Sequence, residues 1–168
     1  ISYRILPAPH FLIKDSKIFI DNYKKKSLAE IKEFQIFLNQ GKFFNKEKID
    51  IRKLVINDAN FFSKRSDLKL LGNFKNEKLS NKKITINNSN LFFEDNFGEI
   101  ISIIKLDKIS AFFDDKKLFN FIYLTGEVFN VPFNLNFKYQ NNSNRYQKID
   151  LKSKTLKLKI SNESTLEN

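Results

Sequence analysis

The sequence predicts a mainly β fold: an extended, twisted antiparallel sheet or groove of repeated strand–bulge–strand units, with at most one short helix. Three observations carry this. The segments Ile13–Ile20, Ile56–Ser63 and Ile86–Phe93 align without a gap as apolar, polar, Asp or Asn, small, polar, apolar, apolar. Asp and Asn bond their own backbone and tolerate unusual dihedrals, which suits a bulge, and the flanking apolar and aromatic residues suit strands. Second, Val131, Phe133, Leu135, Phe137 and Tyr139 alternate with Pro132, Asn134, Asn136 and Lys138, the period of a half-buried strand. Third, strands and turns follow each other too closely for crossover helices, so neighbouring strands should run antiparallel.

In order, residues 1–10 read as an extended lead-in, because Pro7 and Pro9 each remove a donor. Residues 11–160 form the single β-groove domain, opening with the first repeat. Residues 27–40 are readable two ways. Ser27-Leu-Ala-Glu30 fits a helix capping box with Gly41 as the stop. Yet Leu28-Ala-Glu-Ile31-Lys-Glu-Phe34 matches Leu106-Asp-Lys-Ile109-Ser-Ala-Phe112, which lacks helical character, and this favours strand for both. Ile49, Ile51 and Leu54–Ile56 lead into the second repeat, and Leu68–Phe74 reads as a short return strand kinked at Gly72. A polar loop at 75–83 precedes the third repeat. Asp95-Asn-Phe-Gly98 turns the chain into a strand over 99–106, and 140–145 is a polar turn. Leu156, Leu158 and Ile160 alternate with Lys157 and Lys159; the tail at 161–168 reads as disordered.

The chain has 168 residues, enough for a real core, and no Met at position 1, which fits a piece of a longer polypeptide. Its formal charge of +11 comes almost wholly from Lys, with Arg only at Arg4, Arg52, Arg65 and Arg145. A phosphate-gripping surface would favour the planar Arg fork, so the charge reads as compositional bias and solubilising edge lysines, not a nucleic-acid footprint. Tyr23–Lys26 and Asn81–Lys83 read as solvated turns. No run of about eighteen apolar residues occurs, and with no Cys there is no disulfide or thiolate site.

Catalytic chemistry finds little material. His10 is the one histidine and reads as a surface residue of the lead-in, and no nucleophile–base set can be assembled around it. Glu94-Asp95 and Asp114-Asp115 lie at turns, where neighbouring side chains diverge. The four glycines, Gly41, Gly72, Gly98 and Gly126, are too scattered to cradle a phosphate. The expectation is a non-enzyme with no cofactor and no metal site. The chain is rich in Phe instead, with 19, and Phe61-Phe62, Phe92-Phe93 and Phe112-Phe113 are doublets whose two rings must face opposite ways. Either these rings line an open apolar trough or neighbouring segments bury them.

The Asn/Asp-Ala/Ser units, Phe93-Glu-Asp-Asn-Phe-Gly-Glu99 and Leu124-Thr-Gly-Glu-Val-Phe-Asn-Val-Pro-Phe133 resemble AsmA-like proteins of Gram-negative envelopes. The stretch Gly126, Phe129, Pro132 and Phe133 is the most specific part, and the resemblance runs over roughly 11–160. It implies a large periplasmic protein, anchored in the inner membrane by a segment absent from this chain. Such a protein is built as a long apolar β-groove linked to outer-membrane assembly and phospholipid transport between membranes. The implied partners are phospholipid acyl chains, the rest of the parent chain and other envelope proteins, with no nucleic acid. The groove candidates are Ile84, Ile86, Val131, Phe133, Leu135, Phe137, Tyr139, Leu156, Leu158 and Ile160. The competing readings are a lipopolysaccharide-export-type β-jellyroll, a structural β-scaffold and a nucleic-acid binder; the last requires rings and lysines on one face.

Overall fold

The computed structural model describes residues 1–19, 27–39, 50–64, 78–141 and 145–166. Among these residues ten strands form one sheet in chain order: β1 (Ser2–Arg4), β2 (His10–Phe19), β3 (Ser27–Leu38), β4 (Ile51–Lys64), β5 (Lys83–Glu94), β6 (Ile100–Asp114), β7 (Phe119–Val128), β8 (Val131–Asn141), β9 (Arg145–Ser153) and β10 (Leu158–Leu166). The extended β-sheet is therefore as expected, and segment 27–38 is a strand. Substantial contacts run between adjacent strands, with no second layer laid over the sheet among the described residues.

The sheet is mixed, not purely antiparallel. β4 and β5 are parallel, and this pairing lays the second repeat on the third in register: Ile56 beside Ile86, Asn57 beside Asn87, Asn60 beside Asn90, Phe62 beside Phe92. Parallel neighbours superpose identical side chains. Two asparagine pairs bridge the strands, Asn87 Nδ2 donating to Asn57 Oδ1 at 2.8 Å and Asn90 Nδ2 to Asn60 Oδ1 at 3.2 Å. The expected return strand at 68–74, the Gly41 helix stop and the 23–26 basic cluster lie outside the described residues.

Each repeat carries its Asp or Asn in the left-handed region: φ is 50° at Asp15, 53° at Asp58 and 48° at Asn88. Lys32 of β3 and Asp107 of β6 stand at the same level. Pairing is interrupted there in every strand from β2 to β6, while register is kept on both sides from β2 through the β5–β6 pair. Between β6 and β7 the interruption becomes a register shift, so Asp107 is an extra residue and β7 runs straight past it. The result is a crease across five strands. Its equivalent segments are Ile31–Phe34 and Leu106–Ile109, three residues away from the match drawn between 28–34 and 106–112 in sequence.

The turns follow local chemistry. Asp95 Oδ1 accepts from the N–H groups of Phe97 (2.8 Å) and Glu99 (2.9 Å), with Gly98 at φ 91°. Asp114 Oδ1 accepts from Lys116 and Lys117 N–H, both at 3.0 Å. Phe129 and Asn130, at φ 49° and 60°, make the two-residue turn between β7 and β8, whose paired left-handed residues match strand twist.

Both termini are more ordered than their composition implied. The lead-in contains β1, and His10 is no surface residue: it opens β2, is buried, stacks on Phe37 with centroids 4.8 Å apart, and bonds Ala8 O through Nδ1 at 2.8 Å. The tail is strand through Leu166. Polar cross-strand pairs hold it where an apolar pattern would have been visible: Lys148 Nζ–Glu163 2.9 Å, Tyr146 O–H to Glu163 3.1 Å, Gln147 Nε2 to Ser164 2.9 Å and Ser161 to Asp150 2.6 Å.

Substitution can test both the kink and the tail. Asn88→Gly should leave stability nearly unchanged, whereas Asn88→Val forces a β-branched residue into the left-handed region. Val should cost about 1–2 kcal/mol in urea unfolding. Glu163 is held below the usual carboxylate range, first by the Lys148 hydrogen bond and then by that from Tyr146, while Lys148 is pushed up by the same bond. A depressed carboxylate stabilises above its unfolded value, and this contribution disappears as pH falls through the folded value. Hydrogen-exchange protection of β10 should therefore be higher in the native protein than in Glu163→Gln near neutrality, and the two should converge in acid.

Candidate functional site: an apolar trough

Cross-strand partners in a sheet share a face, so the register can be read as rows running across the strands. One row is apolar in every strand it crosses: Ile13, Phe34, Ile56, Ile86, Ile109, Leu124, Leu135, Leu151, Ile160. Two residues along, Phe11, Ile36, Leu54, Ile84, Ala111, Ile122, Phe137 and Ile149 make a second. At a strand spacing of about 4.8 Å these rows extend for roughly 40 Å. The row between the first and the crease is its opposite: Lys14, Glu33, Asn57, Asn87, Lys108, Thr125, Asn134, Lys152, Lys159. It belongs to the other face.

Beyond the crease the apolar face continues through Ile18, Ala29, Phe61, Leu91, Ile104, Val128 and Val131. The left-handed residue uses up one position, so residues three apart, such as Ile31 and Phe34 or Ile56 and Ala59, come to the same side. Phe34, Ile56 and Phe61 pack against buried Ala29, Ile31 and Ala59, so the two halves of the face close toward each other and the apolar side is concave. Asp15, Lys32, Asp58, Asn88 and Asp107 lie exposed along the convex vertex.

The floor of the fold mixes small side chains with buried branched ones. Ser16, Ile31, Ala59, Ser89, Leu106 and Gly126 follow one another along it, and Ala59 and Ser89 are essentially inaccessible. The kink breaks the β4–β5 ladder, and Ser89 Oγ repairs it by accepting from Ala59 N–H at 3.1 Å while donating to Asn87 O at 2.9 Å. A Cβ at Gly126 would collide with the Lys105 carbonyl, and Phe133 stands directly opposite this glycine.

Nine of the ten groove candidates lie on the concave face: Ile84, Ile86, Val131, Phe133, Leu135, Phe137, Tyr139, Leu158 and Ile160. Leu156 does not; it stands in the turn at 154–157. The other strands of this face supply Phe34, Ile36, Leu54, Ile56 and Ile109, which sequence had placed in strands without assigning them to the groove, and Ile122, Leu124, Ile149 and Leu151 of β7 and β9, which it had not assigned. The signal in β7 and β9 was present as alternation, while in β2 to β6 the odd residue at the crease puts the two halves of a strand out of phase.

The Phe doublets resolve into one ring per face. Phe61, Phe93 and Phe113 turn to the trough. On the convex face Phe62 stacks on Phe92 at 5.4 Å and Phe112 on Phe121 at 5.5 Å. Lysines lie over this outer aromatic layer, Lys138 Nζ sitting 3.8 Å from the Phe119 centroid and 5.2 Å from that of Tyr146. The alternation at 131–139 and 156–160 sets apolar residues and lysines on opposite sides of those strands, but rings of the neighbouring strands share the convex face with the lysines. Among the described residues no group of His, Cys, Asp or Glu has the arrangement of a metal site, and Asp95 and Asp114 spend oxygens on turn amides. The trough offers an incoming molecule continuous hydrocarbon and few polar contacts.

Gly126→Ala should destabilise the protein by about 2–4 kcal/mol in equilibrium unfolding, because the backbone at the end of the crease would have to shift.

No protein-family model matches this chain, and no match is found among curated proteins.

Proposed function

We propose that this chain is a segment of a lipid-carrying groove, holding phospholipid acyl chains along its concave face as part of an AsmA-like envelope protein. One observation carries the reading: an uninterrupted apolar row through nine strands, backed by a second, on the concave side of a single-layer sheet. A groove of this kind works without polar recognition, because each CH₂ taken out of water contributes about 0.8 kcal/mol wherever it lies along the row. The resemblance of the Asp/Asn-small units and of the Gly126–Phe133 stretch to AsmA-like proteins supports the same reading. It brings with it a periplasmic location, an inner-membrane anchor outside this chain, and a role in phospholipid movement and outer-membrane assembly. In this reading the chain is not an enzyme, requires no cofactor, and does not act on nucleic acid.

The test combines a phospholipid bearing a photoreactive acyl chain with thermal melts. Native protein should crosslink at residues of the two apolar rows. Phe137→Asp should lower crosslinking at least tenfold while the domain stays folded, since an open face leaves the carboxylate in contact with water. Native protein that never crosslinks, with a Phe137→Asp variant that simply unfolds, would establish a sealed structural β module instead.

A further inference from the structure

One long side of the sheet is lined by hairpin tips carrying exposed apolar residues. The β5–β6, β7–β8 and β9–β10 turns all open on this side, because β6, β8 and β10 leave it and β5, β7 and β9 return to it. Their tips present Phe97 (93 % exposed), Phe129 (77 %) and Leu156 (59 %). Beside them Ile100, Ile101 and Ile103 are exposed where β6 outruns β7, whose pairing stops at Ile104, and with Phe129 they border a depression of about 400 Å³. Folding does not ask for these residues. Phe129 is left-handed at a turn position that Asn or Gly fills more comfortably, and its ring covers little of the sheet.

The charge at these tips is as uneven. Lys152, Lys154, Lys157 and Lys159 surround Leu156, all exposed, and among the described residues none forms an ion pair. The opposite long side differs. Leu118 is exposed there too, beside the exposed Lys116 and Lys117, but Asp114 and Asp115 share its turn and offset them, and Lys78 and Lys82 are paired with Asp115 and Asp50. Apolar residues at the apices of neighbouring hairpins, with unpaired lysines set behind the β9–β10 apex, match an anionic bilayer, where rings and aliphatic groups enter the interface and lysines meet headgroup charge. A polynucleotide would draw on the lysines and stack on Phe97 or Phe129, but would leave Leu156, Ile100 and Ile101 without a role.

We infer that the β5–β6, β7–β8 and β9–β10 hairpin tips form a membrane-docking rim that seats this chain on an anionic phospholipid surface. The β9–β10 hairpin alone supplies the electrostatic attraction, since the Phe97 turn carries Asp95 and Glu99 and no lysine. The rim is separate from the acyl-chain trough and binds bilayers whether or not the trough holds lipid.

The experiment is co-sedimentation with phosphatidylcholine vesicles containing or lacking phosphatidylglycerol. The sequence has no Trp, so Leu156→Trp also gives an emission reporter that should shift to the blue on anionic vesicles. Binding should require phosphatidylglycerol and weaken with salt. Lys154→Glu with Lys157→Glu should lower it at least tenfold, and so should Phe129→Asn with Leu156→Asn. Asn suits the Phe129 position, and the thermal melt should confirm that this variant stays folded. Absence of binding to anionic vesicles overturns the inference. So does binding that the two Asn substitutions leave intact, or tighter binding to a single-stranded oligonucleotide lost only in the Glu variants. Phe137→Asp should bind vesicles normally, so failure of the trough and failure of the rim are distinguishable.

Discussion

Everything in this architecture depends on one irregular residue, left-handed in β2, β4 and β5, standing at the same level in successive strands. A strand's side chains alternate with period two, so an unmatched extra residue throws half a strand onto the wrong face. Here β2 to β6 all take the irregularity together, and pairing resumes with the same partners on both sides: Lys14 with Glu33 and Ser16 with Ile31, Glu33 with Asn57 and Ile31 with Ala59. The cost of an L residue at φ near 50° is kept small by Asp and Asn, which favour it more than other side chains. Shared in this way, the irregularity becomes a bend that turns a flat sheet into a trough without interrupting either face.

Among the described residues no second layer buries the side chains of this sheet, and their burial comes from neighbours within each face. The concave rows do this with branched aliphatics, and closure at the crease removes Ala29, Ile31 and Ala59 from water altogether. The convex face uses a different device. Its rings stack across strands, Phe62 on Phe92 and Phe112 on Phe121, and Lys53, Lys117 and Lys138 lie over rings of the same face. A lysine over a ring keeps its charge in water while its stem covers hydrocarbon. The high Phe and Lys content is thereby put to use on the side that faces solvent.

The repeat and its kink were legible because they rest on local chemistry: an Asp or Asn followed by a small residue announces an unusual dihedral before any partner is known. Alternation identified β8 for the same reason. The parallel β4–β5 pair was not legible, although the sequence similarity of 56–63 and 86–93 is what places like beside like there. Local pattern says that two segments are alike and leaves open whether they are adjacent. β10 was hidden differently. Its residues 161–165 are all polar, and only the arrival of Asp150, Lys148 and Gln147 opposite them gives that polarity partners. His10 followed the same logic, being polar in sequence and buried by a ring that lies far along the chain.

The floor of the trough changes along its length, and this bears on what it can hold. From β2 to β6 the crease is sharp, and the floor sets the small Ser16, Ala59 and Ser89 beside the larger Ile31 and Leu106. At β6–β7 the extra residue Asp107 absorbs the irregularity and the crease ends. Gly126 then takes the Lys105 carbonyl against its bare Cα, and the next floor residue, Phe133, is a full ring. From β7 to β10 the sheet no longer needs to fold over, and the apolar face is carried by larger side chains on straighter strands. A molecule lying along the rows therefore meets a narrow, V-shaped bed at one end and a broad one at the other, with no polar step between them. Selectivity in such a bed can come only from cross-section, because position along it is chemically uniform. The Gly126–Phe133 pair stands where the cross-section changes.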